Sequence, residues 1–178
     1  MKMGTILEIQ KGIEADDLPD ELFLLSNAYL DAAVNLNTQL VLGDWKSTYQ
    51  RGQVIMFLAR HAVELCMKAC IKIANPIEQV KTHNLQDLEK KLNDSFPEID
   101  YQIPFKAEPV LPSSELLEKM DKNAKVAYEQ LRYPMDNNGV PWQGIFVFSA
   151  PLFKDSLKEI QDELSRIRNY VESCDKKK

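Results

Sequence analysis

Residues 49–73 read YQRGQVIMFLARHAVELCMKACIKI, and the pattern of this stretch decides the fold. Val54, Ile55, Phe57, Leu58, Ala62, Leu65, Ala69 and Ile73 recur at the spacing of three and four that gives a helix one apolar side. Arg60, His61, Glu64 and Lys68 interrupt that side. At about 100° per residue, His61, Glu64 and Lys68 fall on one stripe, with Arg60 beside Glu64 one turn back. Charges placed among residues that want a core must find partners or water. The stripe is therefore expected to line a cleft or a seam between helices, and this is the candidate functional site.

Four further helical patterns flank it. The first spans about 18–42, with Asp17 as cap, Pro19 in the first turn and Gly43 at the stop. Its expected buried stripe is Leu18, Leu22, Leu25, Tyr29, Ala32, Leu36 and Leu40. The central helix, 48–74, ends in Asn75-Pro76, where proline cannot continue the ladder. A short helix opens at Asn84, with Asp87 reaching back to the cap and Leu85, Leu88 and Leu92 as its apolar face. Pro97, Pro104, Pro109 and Pro112 then mark an irregular loop over 93–112. Ser113 caps a fourth pattern carrying Leu116, Leu117, Met120, Ala124, Ala127 and Leu131. The turn Asp136-Asn137-Asn138-Gly139 lies between Leu131-Arg132-Tyr133 and Ile145-Phe146-Val147-Phe148, which predicts a small β-hairpin near 131–148. In the last helix, 151–173, Phe153, Leu157, Ile160, Leu164, Ile167 and Val171 form a seam for the bundle or for a partner helix.

Composition bounds the class. A chain of 178 residues without a composition break is read as one domain, with a core over 17–173 and a flexible basic tail at 174–178. The net charge of −5 argues against a general nucleic-acid coat or a basic membrane-binding surface and leaves room only for a local basic site. Cys66, Cys70 and Cys174 cannot all pair, and no sustained apolar run is long enough to cross a bilayer. A reduced, soluble, cytoplasmic protein with no membrane partner is expected.

Taken in order, Arg60-His61-x-x-Glu64-Leu65-x-x-Lys68-Ala69, His83-Asn84-Leu85 with Leu88, and Leu131-Arg132-Tyr133-Pro134 ahead of Asp136 and Gly139 resemble bacterial HEPN-like domain proteins. The resemblance covers roughly 49–134. It implies an all-α fold, an antiparallel four- or five-helix up-and-down bundle that commonly forms a homodimer. It also implies a place in bacterial or phage conflict systems, as a toxin–antitoxin or phage-defence component. The partners it suggests are RNA, a nucleotide, or a protein such as a minimal nucleotidyltransferase.

The chain departs from the ribonucleolytic members of that family, which carry an Arg, four to six intervening residues and then a His. Neither His61 nor His83 has an arginine at that upstream distance. The catalytic role is therefore carried over only to a remodelled site, with His61 as acid or base and Arg60 as charge stabiliser. Glu64, Lys68, His83, Arg132 and Tyr133 are the candidate ligand-binding residues.

Each has a plainer reading. His61 can be a core histidine bonded to a neighbouring helix. Glu64 with Arg60 and Lys68 has the spacing of ordinary intrahelical ion pairs, about 0.2–0.5 kcal/mol each. His83 sits where capping residues sit. Arg132 offers a planar fork to a phosphate but could equally bridge to Glu64 or Asp136. Tyr133 and Trp142 can stack on a base or simply fill the hairpin. No metal-ligand spacing and no cofactor motif is present, so neither metal nor cofactor is expected. Three readings stay open: a binding module, a divergent metal-independent endoribonuclease, and a purely structural helical protein.

Overall fold

A computed structural model describes residues 17–44, 46, 48–101, 138 and 148–175. Among these the structure is all-helical, with four helices and no strand: α1 (Leu18–Leu42), α2 (Tyr49–Ala74), α3 (Leu85–Ser95) and α4 (Ala150–Asp175). The fourth sequence pattern at 113–131, the hairpin residues 131–137 and 139–147 with Arg132, Tyr133 and Trp142 among them, and the lysines of the tail lie outside the described residues. No described helix is long and apolar enough to cross a membrane.

The helix ends follow local chemistry. Gly43 closes α1 at φ 79°, a left-handed conformation that costs glycine nothing. Asp17 precedes α1 but makes no side-chain cap bond, so the expected capping role falls away and Pro19 alone marks the start. Thr48 caps α2 by accepting from the Arg51 amide, and Asn84 caps α3 by accepting from the Gln86 amide. Asp87 does not reach back to the Asn84 amide. Thr82 Oγ1 accepts from that amide instead and donates to Asp87 Oδ2. Helix α3 continues to Ser95, three residues past the predicted end, where the Phe96 amide still bonds the Leu92 carbonyl.

Helices α1, α2 and α4 build most of the core, and α3 adds Leu88 and Leu92 to it. Asn37 of α1 bonds the carbonyl of Ala150 at the start of α4, whereas Arg168 near the end of α4 sits over the Phe23 ring early in α1, so these two run antiparallel. Helix α2 pairs most extensively with α1, and Ser26 Oγ donates to the Ala62 carbonyl at 2.7 Å. The α4 seam of Leu157, Ile160, Leu164, Ile167 and Val171 is buried in this same core, with Phe153 packed at its edge. It is spent within the chain, which withdraws it as a surface for a partner helix or a second copy.

The buried face of α1 is turned about one residue from the expected one. Phe23, Ser26, Leu30, Ala33, Asn37 and Leu40 face inward, while Leu25 is 45 % exposed and Leu22, Tyr29 and Leu36 are half-buried. Ser26 and Asn37 can lie inside because each gives its donor to a backbone carbonyl of another helix.

Candidate functional site

Glu64 is the centre of the site. It lies on the inner side of α2 and is 1 % exposed. A carboxylate taken out of water must be compensated, and three neighbours do this. Lys68, one turn further along the helix, donates from Nζ to Glu64 Oε1 at 2.8 Å. His83, arriving from the segment between α2 and α3, brings Nδ1 to the same oxygen at 2.8 Å. His61, one turn back, places Nδ1 3.7 Å from the other oxygen, Oε2. That separation is within reach of an ion pair but too long for a hydrogen bond.

Burial alone would raise the Glu64 carboxyl, but His61, Lys68 and His83 outweigh it and bring it down to about 2. The group is a carboxylate at every ordinary pH.

Arg60 is 2 % exposed and donates from Nη2 to the carbonyl of His83 at 3.3 Å. The sequence suggested an Arg60–Glu64 ion pair. The structure instead sends Glu64 to Lys68 and the two histidines, while Arg60 holds the backbone that carries one of those histidines. The short segment 75–84 is thereby fastened to α2 from both ends: Lys72 donates to the Pro76 carbonyl, and His83 is gripped by Glu64 and Arg60. Glu78 in its middle pairs with Lys91 of α3.

Aromatic rings frame His61. Phe57, one turn earlier on α2, lies parallel to it at 5.7 Å, and Tyr29 of α1 meets it edge-on at 4.7 Å. The Ser26–Ala62 bond brings the two helices close at this point, which is why Tyr29 reaches the ring. His61 stays 20 % exposed at its side chain, while its Nδ1 is buried.

Five of the residues singled out from the sequence, Arg60, His61, Glu64, Lys68 and His83, are thus brought into one cluster. Arg132 and Tyr133 fall outside the described residues. Sequence reasoning missed Tyr29, Phe57 and Thr82. Phe57 stands four residues before His61 and was legible from spacing, whereas Tyr29 is brought in by helix packing alone. Among the described residues no three His, Cys, Asp or Glu side chains are grouped so as to hold a metal ion.

Chemically, the cluster sets two fixed cations, Arg60 and Lys68, and two histidines against one carboxylate. Among the described residues, Lys68, His61 and His83 thus converge on a single carboxylate. No family model, no curated protein and no solved structure matches this chain.

Proposed function

We propose that the seam around Glu64 is an anion site, and that the chain is a HEPN-like binding module whose seam takes a phosphate of single-stranded RNA. The observation that supports this reading is the gathering of Lys68, His61 and His83 on one buried carboxylate, a set of hydrogen-bond donors held in one place. Glu64 holds Lys68 and His83 in fixed positions, so less side-chain freedom is lost when a phosphate arrives. In this reading Arg132 adds a guanidinium fork and Tyr133 a stacking face for a base, both from a hairpin at 131–148 that completes a four- or five-helix bundle. The chain then acts in the cytoplasm, as a homodimer or beside a nucleotidyltransferase, within a bacterial or phage conflict system.

The test is fluorescence anisotropy with a labelled oligouridylate at low and moderate salt. The folded protein is expected to bind, with affinity falling as salt rises. Lys68→Gln, which removes one cation and keeps a polar end, is expected to weaken binding roughly tenfold, the loss of one charge-assisted contact. Absence of binding at low salt by the folded wild type overturns the reading. If the RNA is instead cut without added metal, and His61→Ala stops cutting at an unchanged melting temperature, the site is a ribonuclease with His61 as its acid or base.

A further inference from the structure

The two oxygens of Glu64 are treated unequally. Oε1 accepts from both Lys68 Nζ and His83 Nδ1 at 2.8 Å. Oε2 is buried and has no hydrogen-bond partner among the described residues, and the same is true of the atom it faces, His61 Nδ1, 3.7 Å away. Leaving a buried carboxylate oxygen unbonded is costly, so two such atoms facing one another call for a missing proton or ligand.

A neutral imidazole carries one N–H. If that hydrogen is on Nδ1, it points at Glu64 and leaves a lone pair on the outer nitrogen, which repels an incoming anion. If it is on the outer nitrogen, it can greet the anion, but then the Nδ1 lone pair faces the carboxylate. Only the doubly protonated ring serves both sides. The ring is placed for this, with Nδ1 buried against Glu64 and the exposed part of the side chain formed by its other atoms.

We infer that His61 takes up a proton from water when an anion occupies the seam, so that phosphate binding there is proton-linked. This rests on the anion-site reading above and states what regulates that site. Among the described residues, the titratable groups against the ring are Glu64 on α2 and the edge-on Tyr29 on α1, while Lys68 and His83 bond the far oxygen of Glu64 and Arg60 bonds the His83 carbonyl. Arg60 and Lys68 oppose a further cation at the ring. Glu64 favours it, and an anion at the outer edge tips the balance by adding a second negative neighbour. Protonation draws Nδ1 toward Oε2 by about 1 Å, into the range of a charge-assisted hydrogen bond.

The experiment is a ring-resolved NMR titration of the two histidines in the full chain between pH 5 and 8, in sodium chloride and in sodium sulfate at matched ionic strength. Neither sulfate nor a phosphodiester titrates in this range. The midpoint of His61 is expected to rise by about half a unit or more in sulfate, a threefold or larger preference of the anion for the protonated ring. In parallel, oligouridylate affinity is expected to rise threefold or more from pH 8 to pH 5.5 in the wild type and less than twofold in His61→Asn. If the RNA binds but the His61 midpoint is the same in both salts, the proton link is wrong while the binding reading survives. If sulfate raises the midpoint and RNA does not bind, the link stands and the RNA reading falls. No midpoint change and no binding overturn both. The NMR arm uses the wild type alone, so a variant that fails to fold does not remove the test.

Discussion

His83 Nδ1 and Glu64 Oε1 stand 2.8 Å apart although 19 residues separate them in the chain, and Lys68 Nζ shares the same oxygen. This contact turns an intrahelical ion pair into a clamp on the segment that leads to α3. Breaking a buried pair from one side leaves the other charges uncompensated, at a cost of about 3–5 kcal/mol. Glu64→Ala is therefore expected to lower unfolding free energy by that amount in urea denaturation, well beyond a surface ion pair. A loss under 1 kcal/mol would show that water reaches the cluster and that the clamp is not a structural element.

The same carboxylate gives a pH signature. Its folded value, about 2, lies below the ordinary 4.5, so the group stabilises the fold at every pH above about 4.5, and this contribution is lost as pH falls through about 2. The stability difference between the wild type and Glu64→Gln is expected to shrink by no more than about 3 kcal/mol as pH falls from about 4.5 to 2. Denaturant midpoints at four pH values measure it. A difference that stays flat into strong acid would mean that the carboxyl is not held down.

Much of this site was legible because it is local. Positions 60, 61, 64 and 68 lie within three turns of one helix, so helical geometry alone put them on adjoining faces. The arrival of His83 required knowing how the chain turns after Asn75-Pro76, which periodicity does not encode. The face of α1 was misjudged for a related reason. Leucine spacing favoured Leu25, but Ser26 and Asn37 occupy the inner side because the carbonyls of Ala62 and Ala150 are there to receive them. Those acceptors belong to other helices, and no pattern within 18–42 announces them.

Asn37 tests how well that exception is satisfied. Its Nδ2 donates to the Ala150 carbonyl at 3.0 Å, while its buried Oδ1 has no hydrogen-bond partner among the described residues. The bond contributes about 1 kcal/mol, and the unpaired oxygen costs about 1–3 kcal/mol. The second effect wins, so Asn37→Leu, with the same branching at Cγ, is expected to leave stability unchanged or raise it by about 1 kcal/mol. A loss of 2 kcal/mol in thermal or urea unfolding would show that the amide holds α1 and α4 together.

Gly52 sets a propensity gain against a steric cost. Alanine in a helix interior is better than glycine by about 1 kcal/mol. A Cβ on residue 52, however, would stand 2.5 Å from Phe148 Cγ, 2.6 Å from Cδ1 and 2.9 Å from Cβ. Because the ring and its own Cβ are both too close, the Phe148 side chain cannot escape by a ring rotation alone, and the segment leading into α4 must move. Phe148 also meets Phe153 at 5.5 Å, so that movement disturbs the first turn of α4. Overpacking of this kind costs about 1–3 kcal/mol, enough to cancel or exceed the helix gain. Gly52→Ala is expected to be destabilising, and the double variant Gly52→Ala with Phe148→Ala to recover the part of the loss that comes from the clash, as a thermodynamic cycle of the two sites would measure. A stabilised single variant would mean that Phe148 does not lie against α2 in solution.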